Sequence, residues 1–195
     1  MQAGLVVGSG GNLSARAPGA DECWVTAAGT WLDRLDRGSF VRIRTTDGAA
    51  LDSDAKAAPS SELALHLAMY RARPDVNAVV HLHPQTVLLL DAIGEPIRLV
   101  TTDHAFYLRR VATAPFVPPG CPEVGTLAAE ACADGTDCVV LSRHGCSVVA
   151  DSVELAHKRA FYLEEAARLT YGALLLGRAV EPLPTDWLNT PTATA

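Results

Sequence analysis

The segment NAVVHLHPQT, residues 77–86, places two histidines two positions apart in a run that otherwise has the composition of a buried β-strand. Alternate side chains of a strand face the same way, so His81 and His83 share one face with Val79. Their ring nitrogens can converge on one point above the sheet, where a divalent metal would stabilise them. The residues alone leave two interpretations open: a pair of metal ligands, or two core histidines bonded to backbone carbonyls.

His144 is a candidate third ligand. It follows the strand-like segment DCVVLSR, and Gly145 after it can turn the backbone and leave the imidazole at an edge of the sheet. Three neutral imidazoles leave at least one coordination position open, which is typical of catalytic zinc. The pattern therefore predicts a Zn²⁺ site, and imidazole ligands would also accept Mn²⁺ or Co²⁺.

Glu62 is the candidate acid and base for such a site. We expect it in the first turn of the helix that precedes the His-X-His strand, where the positive end of the helix dipole favours a carboxylate. A carboxylate at that position suits any helix, so its place alone does not assign a catalytic role.

Glycine-rich and hydroxyl-bearing segments predict an anion site. Ser60 and Ser61 fall where free N–H groups of the same helix face outward, so a phosphate could bind there. The loop GSGGNLSAR adds the amide of Asn12, and the segment TAAGT adds a tight turn at Gly29. Neither has the spacing of a P-loop or a dinucleotide fingerprint, which argues against ATP and NAD.

The other histidines and the cysteines indicate less chemistry. His66 and His157 fall on predicted helices without a partner at ligand spacing, and only His104, beside Asp103, could join the site. The five cysteines are an odd number with no CxxC pair, so neither a disulfide framework nor a zinc ribbon is indicated. We expect buried thiols in a reduced protein, with Cys146 either a packing residue or a reactive thiol.

Helices and strands alternate along the chain and must position these residues. Three helices are predicted, over residues 60–74, 126–135 and 151–177. Five strands are predicted, over residues 22–27, 40–45, 77–83, 97–102 and 138–143. Asp151 or Ser152 can cap the last helix, and Gly177 can close it. This alternation indicates an α/β domain.

Composition excludes several classes of function. The 195 residues, 49% of them hydrophobic, are enough for one domain with a full core, taken here as residues 1–195 with a flexible tail at about 182–195. The net charge of −6 and the scattered Lys and Arg residues leave no basic face for nucleic acid. Because the chain has no signal-peptide pattern and no apolar run as long as a membrane span, we expect a soluble cytoplasmic protein.

The order of the motifs resembles the class II aldolase/adducin family. Gly-Asn-Leu-Ser, Thr-X-X-Gly, Pro-Ser-Ser-Glu, His-X-His and a late His-Gly before a long helix follow one another between Gly8 and Gly177. The resemblance implies a three-layer α/β/α domain around a mixed, largely antiparallel sheet, assembled as a homotetramer with active sites at subunit interfaces. It also implies a set of roles: His81, His83 and His144 as zinc ligands, Glu62 as the proton-transferring residue, and Asn12, Gly29, Ser60 and Ser61 as ligands of the substrate phosphate.

The chain departs from the family pattern at three places. Its turn reads Thr26-Ala27-Ala28-Gly29 where the family usually has Thr-Pro-Ser-Gly or Thr-Pro-Thr-Gly, which removes a hydroxyl and makes an unphosphorylated or carboxylate substrate an alternative. The family's aldolase takes a tyrosine from a neighbouring subunit, and no tyrosine stands at the matching position. Tyr107, nearby, is the candidate acid, with aromatic packing as its alternative role. The chain also begins almost at the glycine loop, where family members usually carry a preceding helix.

The resemblance implies a metal-dependent lyase. A class II aldolase would cleave a ketose phosphate to dihydroxyacetone phosphate and an aldehyde through a zinc-stabilised enediolate, with Glu62 moving the proton. A decarboxylase or dehydratase of a related keto-sugar-acid phosphate would form the same enediolate and is the main alternative. Epimerases of the family carry aspartate in place of this glutamate. A non-enzymatic adducin-like scaffold would have no reason to keep three histidines together with the glutamate.

Overall fold

A seven-stranded sheet forms the middle layer of the protein. The computed structural model describes residues 4–52 and 57–185, together with Leu188. Its strands are Asn12–Ala15 (β1), Glu22–Thr26 (β2), Phe40–Arg44 (β3), Ala78–Leu82 (β4), Val111–Ala114 (β5), Cys138–Leu141 (β6) and Gly145–Ala150 (β7). They lie in the order β3-β2-β1-β4-β7-β6-β5, and every neighbouring pair is antiparallel except β5 and β6. The predicted mixed, largely antiparallel sheet is confirmed.

Helices cover both faces of this sheet. Those of the described residues are Leu63–Ala72 (α1), Gln85–Ile93 (α2), Thr102–Leu108 (α3), Pro122–Cys132 (α4) and Val153–Leu175 (α5). The alternation of side chains along β4 separates two cores: Val79 packs in the core beneath α1 and α4, whereas Val80 and Leu82 pack in the core beneath α2 and α5. The predicted three-layer α/β/α architecture is therefore confirmed.

The long last helix has the ends that its sequence predicts. The Ser152 side chain accepts a hydrogen bond from the Leu155 N–H, and Gly177 adopts a left-handed backbone just beyond the helix, with φ of 64°. Fully buried Ala156 and Ala160 face the sheet, so the helix backbone can approach the strands closely. This element was the easiest to predict because it repeats one apolar face over six turns.

Other parts of the predicted element pattern are wrong. Residues 97–102 form no strand: 97–100 are irregular, and the Thr101 side chain accepts from the His104 N–H to cap α3. The helix predicted over 126–135 begins earlier, at Pro122, because proline suits the first turn of a helix. The strand predictions also omit β1, β5 and β7, and the helix predictions omit α2.

Three further expectations can be compared with the structure. All five cysteines are free, and burial raises the pKa of Cys146 to about 12, which fits a packing residue. Among the described residues no helix is long and apolar enough to cross a membrane. The predicted flexible tail at about 182–195 lies largely outside the described residues.

A buried carboxylate ties α2 to α5. Glu164, on α5, is 2% exposed and accepts hydrogen bonds from Thr86 N at 3.1 Å, Thr86 Oγ1 at 2.7 Å and Val87 N at 3.2 Å. Backbone N–H groups of a first helical turn have no intrahelical partner, and a carboxylate suits the positive end of the helix. Glu164 thereby holds the start of α2, which begins two residues after His83.

We predict that Glu164→Gln lowers the free energy of unfolding by about 2 to 4 kcal/mol, because an amide donor replaces one acceptor oxygen and the charge is lost. Urea unfolding at pH 7 measures the change. The control is Glu130→Gln, an exposed residue of α4, which should change stability by less than about 0.5 kcal/mol. Equal stability of the two variants would contradict this role for Glu164.

Candidate metal centre

Four side chains from three distant segments meet at one end of the central strands. His81 lies in β4 and His83 just beyond it, His144 lies in the turn between β6 and β7, and Glu62 immediately precedes α1. Their potential ligand atoms all lie within 4.8 Å of one another, and the Nε2 atoms of His81 and His83 are 3.0 Å apart. The structure thus brings together the four residues that the motifs single out.

The sheet register fixes the His81 ring. His81 pairs with Asn12 on β1 and with Ser147 on β7, and its side chain is fully buried. Its Nδ1 lies 3.2 Å from Ser147 Oγ, so its Nε2 is the nitrogen that faces the cluster. A hydrogen bond to the second ring nitrogen is the usual way in which proteins orient a metal-binding histidine.

Glycines provide the space that the imidazoles occupy. A Cβ on Gly10 would lie 2.8 Å from Nδ1 of His83. A Cβ on Gly145 would lie 2.6 Å from Cδ2 of His83 and would also contact the Leu82 carbonyl oxygen. The expectation that Gly145 turns the backbone is wrong: the left-handed residue of this turn is Arg143, with φ of 60°. Gly145 is required for close packing.

The turn that carries His144 is held from α2. Asp91 Oδ2 accepts hydrogen bonds from Arg143 N at 2.7 Å and from Ser142 Oγ at 3.2 Å. These bonds offset the cost of a left-handed backbone at a residue other than glycine. As a result, the His144 ring stays on the side of the turn that faces Glu62 and His81.

Glu62 occupies the N-cap position of α1, one residue before the first turn in which it was predicted. Its Oε2 accepts from Asn12 Nδ2 at 2.8 Å and lies 3.2 Å from His81 Nε2. Its Oε1 lies 3.1 Å from His144 Nε2, but not in hydrogen-bond geometry, so this buried oxygen has no hydrogen-bond partner among the described residues. Burial alone would raise the pKa of Glu62, but the rings of His144 and His81 and the Asn12 amide outweigh it and lower that pKa.

The donor set fits a divalent metal. Burial lowers the pKa of His81 to about 3 and lowers the pKa of His83, so both imidazoles are neutral, the form that binds metals. Two nitrogens on one tetrahedral zinc would lie about 3.3 Å apart, near the separation of the His81 and His83 Nε2 atoms. Glu62 Oε1 is buried and lacks a hydrogen-bond partner within the described part of the chain, so the cluster has an unused ligand atom in addition to the ring nitrogens.

The segments predicted to bind phosphate converge beside this cluster. Leu13 N donates to Thr26 Oγ1 at 3.1 Å, and Ser60 N donates to Thr26 O at 3.0 Å. An isolated bridge between Ala27 and Pro59 continues this contact. The glycine loop, the TAAG turn and the segment before α1 therefore form one continuous surface.

The four predicted phosphate ligands differ in their exposure and in the hydrogen-bond groups that remain free to bind a phosphate. Asn12 is buried, with its side chain bonded on both sides. Ser60 is also buried, and its Oγ accepts from Glu62 N at 3.3 Å, which leaves its own O–H free to donate. Gly29, with φ of 74°, and Ser61 are exposed.

A hydrogen-bond chain behind Glu62 was missed in the sequence. His66 is fully buried; its Nε2 lies 2.5 Å from Asn12 Oδ1 and its Nδ1 lies 2.7 Å from Ser14 Oγ. Ser14 Oγ lies 2.8 Å from the Tyr70 hydroxyl. The available signal was the spacing of residues 62, 66 and 70, which places them on one side of α1. His66 therefore belongs to the surroundings of the site, although it was interpreted as an ordinary helix residue.

Two other predicted candidates lie away from the cluster. Tyr107 is on α3, where its ring stacks on Tyr162 of α5 with centroids 4.7 Å apart, and its carbonyl accepts from Arg159 Nε. These contacts fit the packing role. His104 is buried in α3, with its Nε2 3.5 Å from Glu165 Oε2.

The fold and this cluster define a member of the class II aldolase and adducin family, and sequence comparison agrees. The profile described as Class II Aldolase and Adducin N-terminal domain matches residues 1–171, so the chain belongs to that family.

Three relatives show which activities occur among similar chains. An L-fuculose phosphate aldolase of Methanocaldococcus jannaschii is 32% identical over 171 residues, 88% of this chain and 89% of that protein. A 3-oxo-tetronate 4-phosphate decarboxylase of Escherichia coli is 33% identical over 176 residues, 88% of this chain and 80% of that protein. A solved structure of L-fuculose 1-phosphate aldolase superposes with a TM-score of 0.81 at 26% identity, covering 94% of this chain and 84% of that one.

We predict that Gly10→Ala weakens Zn²⁺ binding about tenfold or more, because the new methyl group displaces the His83 ring. Competition with a chromophoric chelator measures the affinity. The control is Gly172→Ala on α5, where a Cβ meets no atom within 4 Å and Zn²⁺ affinity should not change. Unchanged affinity in Gly10→Ala would show that the His83 position does not matter for metal binding.

A second prediction concerns acid stability of the metal-free protein. Burial lowers the pKa of His66 to about 4, whereas an unfolded histidine titrates near 6.5. The unfolded chain therefore binds the proton more readily, and stability falls as the pH drops from 6.5 towards 4. Between pH 7 and pH 5 this single residue should remove about 2 kcal/mol from the free energy of unfolding.

Urea unfolding of wild type and His66→Gln at the two pH values, with chelator present, measures how much His66 contributes to the loss of stability on acidification. For each protein the free energy of unfolding at pH 5 is subtracted from its value at pH 7. Any destabilisation by the substitution that is the same at both pH values cancels in this difference. The variant should lose about 2 kcal/mol less than wild type on acidification. Identical losses would mean that His66 does not contribute.

Proposed function

We propose that this protein is a metal-dependent aldolase that cleaves a ketose phosphate to dihydroxyacetone phosphate and an aldehyde. The observation that carries the proposal is the position of Glu62 among the histidines. One carboxylate oxygen accepts from Asn12, and the other has no hydrogen-bond partner among the described residues. A carboxylate held in this way can exchange a proton with a substrate bound beside it.

His81, His83 and His144 would hold the metal, with Zn²⁺ favoured by a set of three imidazoles and Mn²⁺ or Co²⁺ also accepted. When bound, the metal supplies Lewis-acid stabilisation of the negative charge that develops on a carbonyl oxygen.

Glu62 performs the proton transfer in this proposal. In the synthetic direction its carboxylate takes a proton from the carbon beside the ketone carbonyl, and in the cleavage direction it returns that proton to the same carbon. The lowered pKa of Glu62 keeps it ionised at neutral pH, so it starts the synthetic direction as a base. Its low exposure keeps bulk water away from the transferred proton.

Asn12, Gly29, Ser60 and Ser61 would bind the substrate phosphate. Convergence of their segments around Thr26 supports this assignment. The free O–H of Ser60 and backbone N–H groups before α1 are the donors that a phosphate needs. Alanines in the TAAG turn supply no hydroxyl, so a phosphate would have fewer donors there.

Decarboxylation of a keto-sugar-acid phosphate is the second candidate. The specific observation in its favour is the 33% identity to the Escherichia coli decarboxylase, similar to the identity with the aldolase. Loss of carbon dioxide leaves the same electron-rich carbon next to a carbonyl, so the same metal ligands and the same proton carrier would serve.

We also propose that the protein is a homotetramer whose active sites lie between subunits. Cavities that adjoin Glu62 and His144 each measure about 10 Å³, too small for a sugar phosphate. Walls contributed by a second copy would enclose a larger site. Tyr107 stays a candidate acid within such an assembly, and a cytoplasmic location stays a prediction.

Glu62→Gln should lower turnover about a thousandfold or more while zinc content stays equal to wild type, because the amide cannot carry the proton. The assay uses zinc-loaded protein with ketose 1-phosphates, with dihydroxyacetone phosphate plus aldehydes, and with keto-acid phosphates. Dihydroxyacetone phosphate formation identifies the aldolase, and carbon dioxide release identifies the decarboxylase.

The matched control is Glu154→Gln, an exposed carboxylate in the first turn of α5, which should keep full activity. Wild-type turnover in Glu62→Gln would overturn the proton-transfer role. Absence of turnover by wild type on every substrate would overturn the proposed reaction class.

A further inference from the structure

The buried chain behind Glu62 has only one consistent assignment of its protons. Asn12 must place its Nδ2 against the Glu62 carboxylate, because a carboxylate only accepts. Its Oδ1 therefore faces His66 Nε2, which must carry the proton. His66 Nδ1 is then a bare acceptor, so the Ser14 hydroxyl donates to it. With that proton used, Ser14 Oγ accepts from the Tyr70 hydroxyl.

Every donor in this chain consequently points the same way, from Tyr70 towards Glu62. In a low-dielectric interior, aligned hydrogen bonds polarise one another, so the last bond, from the Asn12 amide to Glu62 Oε2, is strengthened. The last acceptor of this hydrogen-bond chain is the Glu62 carboxylate, whose negative charge gains most from a strengthened donor.

Burial protects this arrangement from water. His66 is fully buried, and Asn12, Ser14 and Tyr70 have exposures of 6%, 3% and 2%. Burial also lowers the pKa of His66 to about 4, so its ring is neutral and carries a single proton at neutral pH. The guanidinium of Arg16 lies 4.4 Å above the Tyr70 ring and covers the far end of the chain.

We propose that Ser14, His66 and Tyr70 are positioning residues that, through Asn12, hold Oε2 of Glu62 and leave Oε1 as the oxygen that exchanges the proton. This inference rests on the proposed function of Glu62. The two oxygens already differ: Oε2 accepts from Asn12, whereas Oε1 has no hydrogen-bond partner among the described residues.

The histidines explain why the carboxylate needs to be held. Glu62 lies 3.1 and 3.2 Å from ring nitrogens of His144 and His81, the atoms offered to a metal. A carboxylate free to rotate would turn both oxygens towards a bound cation and bind it through both. If Ser14 were lost, the proton of His66 could move to Nδ1, and the Asn12 amide would no longer be fixed as a donor to Glu62.

The test uses Ser14→Ala and Tyr70→Phe, with Ser14→Thr as the variant that keeps the hydroxyl. In zinc-loaded protein kcat should fall about 10- to 100-fold in Ser14→Ala and Tyr70→Phe, with KM within about twofold of wild type. Zinc affinity should be equal to wild type or tighter. Ser14→Thr should restore most of kcat. Thr170→Ala controls for lost stability and should keep kcat, because it removes a buried hydroxyl of α5 that accepts from the Arg98 N–H away from the site.

A second readout needs no substrate. Co²⁺ added to the metal-free protein has a visible spectrum that depends on the number of ligand atoms, so a carboxylate that adds its second oxygen to the metal lowers the absorbance. Ser14→Ala should lower it, and Ser14→Thr should not. Loss of kcat together with weaker Zn²⁺ binding in Ser14→Ala, or wild-type kcat and spectrum in that variant, would overturn the positioning role.

The outcomes separate this inference from the proposed function. If Glu62→Gln is inactive while Ser14→Ala and Tyr70→Phe keep wild-type kcat, the positioning role is wrong and the proton-transfer role stands. If Glu62→Gln keeps its activity, the proposed function is wrong, and the Co²⁺ spectra still decide whether the chain holds the carboxylate.

Discussion

The His81 ring lies on the central strand of the sheet and is fully buried, and its neutral form is the condition on which the site depends. Polar groups in such a place destabilise a fold unless each one has a partner. Ser147 bonds one ring nitrogen, and the other faces His83 and Glu62. Burial thus has two effects: it keeps the imidazoles deprotonated, and it makes a cation among them favourable.

The same frame suits more than one reaction. Aldol cleavage and decarboxylation differ in which bond breaks, whereas both leave an electron-rich carbon beside a carbonyl. Choice between them therefore depends on what holds the rest of the substrate. In the proposed function those contacts would come from the TAAG turn and the segment before α1, which lie beside the histidines and do not include them. Similar identity to an aldolase and to a decarboxylase is consistent with this division.

Sequence patterns predicted the parts of the structure that depend on local periodicity or residue type. The α5 helix and the strand with His81 repeat clear patterns, and the imidazoles have few alternative uses. The α3 helix was missed because IRLVTT has β-branched residues, whereas the Thr101 cap decides its conformation. The roles of Ser14 and Ser147 depend on strand register, and a hydroxyl in a strand carries no sign of its partner.

The α2 helix links two of the three histidines. Its first turn, which begins two residues after His83, is bonded to Glu164, and Asp91 in its last turn holds the loop that carries His144. The histidines are 61 positions apart in the chain, as their numbers show, yet one short rigid helix supports both. Any displacement of this helix therefore moves the His83 and His144 rings together. A small shift of the helix against the sheet changes the position of the two rings more than the distance between them.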